Sequence, residues 1–201
     1  MLRNGLLFLD EAKLWFSIAT AASDRKGIKL NKKLTVNMLT KIAILAALAV
    51  VLRRYFTITI PVNKKIGIGD APIMISGIIY GPALGGLTGA LADIVGMLLN
   101  PDGVFHPGFT FTAFLTGFLP GVISYYVFKK DYDKKLIWII VISAIVVFLG
   151  VKLFLDSVWL QQYSKNPYWI YVLRRIPKQI IDTIINVLVL SILIPRIKNY
   201  A

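Results

Sequence analysis

The sequence contains no cysteine and a single histidine, His106, among its 201 residues. Without cysteine the chain can form no disulfide, thiolate nucleophile or cysteine-ligated metal site, and one histidine cannot build a histidine-rich metal centre. No G-x-x-x-x-G-K-[ST] phosphate-binding loop occurs, so the chain is not itself a P-loop ATPase. We find no Ser/His/Asp set and interpret His106, in a turn-rich loop, as structural. The sequence therefore argues against an enzyme and predicts no cofactor or metal.

Acidic residues are scarce, with 10 Asp and Glu against 23 Lys and Arg and a net charge of +13. Such an excess also occurs in nucleic-acid-binding proteins. Here, however, the basic residues cluster at the ends of apolar runs, where they orient a membrane protein. Hydrophobic residues make up 57% of the chain, against about 45–50% in an average soluble domain. The composition therefore predicts a protein of the lipid bilayer that binds no nucleic acid.

Six apolar runs predict an all-α fold, a bundle of six transmembrane helices in a domain of residues 34–201. The expected spans are residues 34–52, 68–80, 83–99, 109–128, 136–155 and 169–194. The second is short, since about 20 residues cross the hydrocarbon core, and Gly81-Pro82 ends it. Alternating residues around Pro61 predict a structured loop with strand character.

Residues 1–33 form a separate segment, which we interpret as amphipathic or as a leader, because Asp10 and Glu11 interrupt its apolar residues. Six spans place both termini on the same side of the membrane. A cytoplasmic position for both satisfies the positive-inside rule, because Lys129, Lys130 and Arg196 then lie inside. The sequence thus predicts a multi-pass protein of the cell (plasma) membrane.

Small residues recur at three- and four-residue steps in the glycine-rich stretch from Gly67 to Gly117. They are Gly85, Gly86, Gly89 and Ala92. Such spacing lets membrane helices approach closely. Asp93 lies in the same run, where a charge is expensive and usually faces protein or a cavity. Ala43 and Ala47 form a second small-residue face, which packs on a helix of the fold or of a partner.

Charged residues within the later spans suggest local ion pairs. Lys152 and Asp156 are four residues apart, as are Lys178 and Asp182, so each pair shares a helix face and is expected to neutralise itself. Arg175 lies three residues before Lys178. One of these two cations is therefore left without an acid in its own helix.

Cations also lie near the predicted outer face, at Arg54, Lys65 and Arg175, where orientation in the membrane does not require them. They indicate either an anionic ligand or side chains that extend to the membrane interface. Phe109 and Thr110 offer a stacking face and a hydrogen bond. Further aromatic residues form an interfacial belt or stack on a planar ligand: Trp159, Tyr163, Tyr168, Trp169 and Tyr171.

Five segments follow one another in the order ILAALAVVLRR, GPALGGLTGALADIVG, FHPGFTFTAFLTGFLPG, LDSVWL and LRRIPKQ. With six spans between residues 33 and 197, they resemble the substrate-binding S components of energy-coupling factor (ECF) transporters, in particular the folate-specific branch. The resemblance implies a six-helix bundle with a vitamin cavity at its outer face. It also implies docking on a transmembrane coupling subunit and two ATPase subunits, which hydrolyse the ATP.

The resemblance further implies a folate-like ligand, whose pterin needs aromatic stacking and whose glutamate carboxylates suit Arg and Lys. Matching segments assign ligand contacts to Arg54, Lys65, Phe109, Thr110, Trp159, Arg175 and Lys178. They assign docking on the coupling subunit to Ala43 and Ala47. Asp70 and Asp156 depart from the family pattern, which has an apolar residue and Asn there. The alternatives are an S component for another vitamin, a ligand-free membrane assembly or structural protein, and a self-sufficient secondary transporter.

Overall fold

The computed structural model of the protein describes residues 36–60, 64–99, 106–162 and 167–197. The contacts discussed below all lie within the compact unit of residues 40–201. The segment predicted over residues 1–33 lies outside the described residues.

Helices dominate the described residues, as the sequence predicts. Their bounds are α1 Val36–Tyr55, α2 Ala71–Tyr80, α3 Pro82–Leu99, α4 Pro107–Val122, α5 Tyr132–Ala144, α6 Leu153–Gln161 and α7 Tyr168–Ile197. Two π-helical segments extend them: π1, Ile123–Val127, follows α4, and π2, Ile145–Lys152, joins α5 to α6.

Among the described residues, four helical stretches are long and apolar enough to cross a membrane: Pro82–Leu99, Pro107–Val127, Lys135–Gln161 and Tyr168–Ile197. Helix α2 is a shorter apolar helix of ten residues, which ends at Gly81. Gly81 has a φ of 105°, which glycine adopts without the steric cost of a Cβ atom. The helix break predicted at Gly81-Pro82 is therefore confirmed.

The segment between α1 and α2 folds as a β-hairpin. Strand β1, Thr57–Ile60, pairs antiparallel with β2, Lys64–Gly67, and Thr57 stands opposite Gly67. The predicted strand character is confirmed, while Pro61 itself lies outside the described residues. Strand β2 approaches α7, where Asn186 Nδ2 lies 3.5 Å from the Gly67 carbonyl oxygen.

Helices α2, α3 and α4 approach one another at their glycines. A Cβ atom added to Gly85 would overlap Gly77 of α2 and the Gly117 carbonyl of α4. One added to Gly89 would overlap the Ala113 carbonyl. The close approach predicted from the small-residue spacing is confirmed.

Gly117→Ala should lower the free energy of unfolding by roughly 1–3 kcal/mol, because the added methyl group meets the Gly85 carbonyl. Gly150→Ala is the matched control. A Cβ there meets nothing within 4 Å, so its stability should stay within about 0.5 kcal/mol of the native value. Thermal unfolding of both variants in one detergent makes the comparison, and equal midpoints would contradict tight packing at Gly117.

Two hydroxyl groups donate hydrogen bonds to a free backbone carbonyl at the C-terminal end of α2. The Ile78 carbonyl has no helical donor, because residue 82 is proline and carries no N–H. Ser124 and Tyr132 donate to it instead, at 3.0 and 2.7 Å. Burial raises the pKa of Tyr132, whose hydroxyl is already protonated at neutral pH and therefore available as a donor. This end of the bundle lies opposite the cavity described next.

Candidate ligand-binding site

A cavity of about 350 Å³ lies at the end of the bundle where α1 ends and α2 and α4 begin. Ligand pockets typically measure roughly 300–1,000 Å³. Among the described residues, four cations and three carboxylates line it: Arg53, Arg54, Lys152, Lys178, Asp70, Asp93 and Asp182. His106 and Phe109 add aromatic wall. The cavity thus combines charged groups with a flat apolar surface.

Asp70 binds two cations from different parts of the chain. Its Oδ1 accepts a hydrogen bond from Arg53 Nη2 on α1 at 2.6 Å, and its Oδ2 binds Lys152 Nζ at the end of π2. The exposed fractions of the three side chains are only 12% for Asp70, 15% for Lys152 and 24% for Arg53. Charges buried to this extent require partners, so the three groups form one mutually stabilised cluster.

This cluster corrects the expected pairing of Lys152 with Asp156. Lys152 binds Asp70, while Asp156 accepts a hydrogen bond from Arg175 Nη2 on α7 at 2.8 Å. Spacing along a helix identifies only partners in the same helix. Here both side chains face neighbouring elements, where oppositely charged groups lie within contact distance. Arg175 has its acid in another helix, as expected for a cation without one in its own.

Asp93 and Asp182 are the other two carboxylates of the cavity. Asp93 Oδ2 accepts from the Thr110 hydroxyl at 2.8 Å, and its Oδ1 lies 3.8 Å from Arg53 Nη1. The prediction that Asp93 faces protein or a cavity is confirmed. The predicted pair of Lys178 with Asp182 is also confirmed, at 2.8 Å.

The aromatic wall is built on the start of α4. The rings of His106 and Phe109 meet edge to face, with 6.0 Å between centroids and 71° between planes. Trp159 packs on His106, with 5.4 Å between ring centroids, and covers Gly108. Its indole Nε1 donates to Thr112 Oγ1 at 3.3 Å. Trp159 therefore packs against the aromatic wall.

The structure brings three of the seven predicted ligand residues onto the cavity wall: Arg54, Phe109 and Lys178. Thr110 and Trp159 are not among the lining residues; they are bonded to Asp93 and Thr112. Arg175 is bound to Asp156. Lys65 lies on β2, and its side chain is outside the described part of the structure.

Six charged or imidazole side chains among the described residues of the cavity carry no sequence-based prediction as ligand contacts: Arg53, Asp70, Asp93, Lys152, Asp182 and His106. For Lys152, the only indication of a site residue in the sequence was its charge within an apolar run. Arg53 resembles any cation that ends a span, and His106 resembles any loop residue. Their common location appears only in the folded chain.

The predicted docking residues Ala43 and Ala47 are exposed on α1. On the same helix, Ala46 and Ala49 are buried in a small core with Ile73. Larger exposed aliphatic side chains flank the two exposed alanines: Ile44, Leu48 and Val51. This side of α1 is therefore apolar, and the described residues leave it uncovered.

The cavity is suited to binding a ligand. Among the described residues, no group of three or more His, Asp or Glu side chains is placed to hold a metal ion. The paired charges hold hydrogen-bond donors and acceptors in place beside the flat aromatic wall. A polar aromatic ligand requires both of these features. Four described helices that are long and apolar enough to cross a membrane, together with this cavity, define a membrane protein that can bind a small ligand.

Residues 37–194 match the family described as ECF transporter, substrate-specific component, and the chain belongs to that family. It is a family of transporter components, not of enzymes.

Several proteins illustrate the relationship. The folate transporter FolT of Clostridium novyi (strain NT) is 32% identical over 77% of this chain and 86% of its own length. The folate transporter FolT of Leuconostoc mesenteroides is 28% identical over 76% of this chain and 80% of its own.

Two solved structures are similar as well. The crystal structure of FolT bound with folic acid is 28% identical, with a TM-score of 0.64 over 79% of this chain and 93% of that one. The structure of the S component of a bacterial ECF transporter is 25% identical, with a TM-score of 0.60 over 81% of this chain and 95% of that one.

Proposed function

We propose that this protein is the folate-specific S component of an ECF transporter. It captures folate from outside the cell and delivers it by docking on a transmembrane coupling subunit, which two separate ATPase subunits power. The similarity to FolT bound with folic acid, at a TM-score of 0.64, carries the proposal. The two relatives named as folate transporters support it.

The chemistry of the cavity supports a folate ligand. Phe109 offers a face for the flat pterin, and carboxylates such as that of Asp93 can accept from its N–H groups. Arg54 and Lys178 suit the two carboxylates of the glutamate tail. The remaining proposed site residues surround this wall: Lys65, Thr110, Trp159 and Arg175. A cationic vitamin such as thiamine would meet four cations against three carboxylates among the described lining residues and fits less well.

In this proposal residues 34–201 form six transmembrane helices in the cell membrane, including α1 and α2. Lys129, Lys130 and Arg196 lie at the ends of their helices away from the cavity. Placing these cations inside satisfies the positive-inside rule, puts both termini in the cytoplasm and turns the cavity outward. The exposed face around Ala43 and Ala47 then docks on the coupling subunit.

Mass spectrometry of the molecules that co-purify with the protein tests the proposal. We expect folate to be released when the purified protein is denatured. Release of a different vitamin would show that the protein is an S component for that vitamin. A folded protein that releases no vitamin and binds no added folate would favour the assembly or structural alternative.

Arg54→Ala should weaken folate binding about tenfold or more, because a charge-assisted hydrogen bond contributes roughly 1.5–3 kcal/mol. Arg54 lies on the cavity wall, against Gly96 of α3. Arg196→Ala is the matched control, since Arg196 is exposed in the last turn of α7, far from the cavity. Calorimetry on the purified variants measures both affinities. Equal affinities would show that Arg54 makes no bond to the ligand.

A further inference from the structure

The buried residues between α5 and α6 recur every four residues along one face of the helix. Buried pairs occur at Ile139 and Ile140, at Ser143 and Ala144, and at Val147 and Phe148. The next pair in the series is Val151, which is buried, and Lys152, whose side chain is 15% exposed. Ile145 and Gly150, which lie between these pairs, are exposed. The same face therefore packs into the bundle along this whole stretch.

The π-helical segment π2 accounts for the four-residue period. Lys152 lies twelve residues after Ile140. In an unbroken α-helix that distance is a rotation of about 1,200°, which ends about 120° away from the starting direction. The hydrogen bonds of a π-helix join residues five apart, so each turn contains more residues than an α-helical turn. The Leu153 N–H donates to the Phe148 carbonyl in this way. The wider turns of π2 thus return Lys152 to the face that packs into the bundle.

Lys152 is the charged group that π2 places at the site. Its ammonium group lies on the cavity wall, binds Asp70 Oδ2 and stands 5.4 Å from the centroid of the Phe148 ring. A lysine ammonium has three donors and no acceptor. Asp70 is its one hydrogen-bond acceptor among the described residues, so further donors are available to a ligand in the cavity.

We propose that Lys152 is a ligand-binding residue, whose ammonium group donates to an acceptor oxygen of the ligand, and that π2 is the element that positions it. This inference rests on the proposed function. Asp70 holds the ammonium group in place before the ligand arrives, and a charged donor forms a stronger hydrogen bond than a neutral one. Folate offers acceptor oxygens in the carboxylates of its glutamate tail and in the carbonyl of its pterin.

Lys152→Met tests the ligand contact, because methionine keeps an unbranched, flexible side chain without the charge. Calorimetric titration of the purified variant should show folate binding about tenfold or more weaker than in the native protein, as expected for the loss of a charged hydrogen bond. Lys135→Met is the matched control. Lys135 is 53% exposed near the start of α5 and does not line the cavity, so this variant should keep the native affinity.

A second titration, with a pterin that lacks the glutamate tail, identifies the acceptor oxygen. If Lys152→Met weakens the binding of folate alone, the partner is a tail carboxylate. If it weakens the binding of both ligands equally, the partner is the pterin carbonyl. Native affinity of Lys152→Met for both ligands would overturn the inference.

Lys152→Met combined with Asp70→Asn separates a ligand contact from a structural role. If Lys152 served only to neutralise Asp70, removing both charges would restore the native affinity for folate, and that result would overturn the inference. We expect the double variant to bind folate at least as weakly as Lys152→Met alone.

Deletion of Gly150 tests the positioning by π2. Gly150 lies between Phe148 and Leu153, so its removal turns their bond into an α-helical one. Folate binding should weaken about tenfold or more, and adding Lys152→Met should cause no further loss. Gly150→Ala keeps the number of residues and meets nothing within 4 Å, so it should bind as the native protein does. Native affinity in the deletion variant would overturn the positioning role.

The outcomes separate this inference from the proposed function. If the deletion variant did not fold, Lys152→Met, which keeps the native chain length, would still decide the assignment. If the native protein binds folate and Lys152→Met binds it equally well, this inference alone falls. If the native protein binds no folate, the proposed function and this inference both fall.

Discussion

Asp70→Ala should lower the free energy of unfolding by roughly 3–5 kcal/mol, since removal of one partner leaves buried charges uncompensated. Lys152 would lose its carboxylate, and among the described residues Arg53 would keep only its 3.8 Å ion pair with Asp93. Both cations have at most 24% of their side-chain surface exposed, so water cannot replace the lost partner fully. Thermal unfolding in detergent measures the loss.

Asp131→Ala is the control for Asp70→Ala. Asp131 pairs with Lys135 at 3.9 Å, and 40% and 53% of the two side chains are exposed. Exposed pairs contribute about 0–1 kcal/mol, so the unfolding midpoint should barely move. Similar midpoint shifts for the two variants would show that the Asp70 cluster is as well hydrated as a surface pair.

Ala43→Trp and Ala47→Trp should each reduce folate uptake to background while folate binding persists. Both alanines are exposed on α1, away from the cavity wall, so an indole there needs no repacking of the fold. Small residues at a helix interface let the helices approach closely, and a tryptophan prevents that approach. Uptake by cells that also contain the coupling and ATPase subunits measures the loss, and calorimetry measures binding.

Ala83→Trp is the matched control for the docking variants. Ala83 is also an exposed alanine, but it lies on α3. Uptake should survive this change, because the proposed docking face is on α1. Normal uptake in both α1 variants, or equal loss in all three, would contradict the assignment of docking to this face.

Features set by neighbouring residues could be predicted from the sequence. The break at Gly81 follows from its own conformation and from Pro82. The close packing at Gly85 and Gly89 follows from their spacing on one helix face. The Lys178–Asp182 pair follows from the helix period. In each case the physical cause lies within one or two turns of the chain.

The charge cluster could not be predicted, because its members are distant in sequence. Asp70 and Lys152 are 82 residues apart, and the helix period says nothing about such a contact. The expected Lys152–Asp156 pair was wrong for this reason. Asp70, a departure from the family pattern, is the residue that neutralises both Lys152 and Arg53.

The aromatic part of the site also combines residues that the sequence could predict with positions that it could not. The sequence predicts that Phe109 and Trp159 contact a planar ligand, but it does not show which of the two rings lies on the cavity wall. In the folded chain the His106 ring contacts both Trp159 and Phe109. Only the folded positions of α4 and α6 show which ring reaches the cavity.

Calorimetric titration of the purified native protein with folate measures the central property directly. We expect saturable binding of one folate per protein, weaker binding of a pterin that lacks the glutamate tail, and no binding of thiamine. Absence of folate binding by the folded protein would contradict the assignment of this cavity to folate.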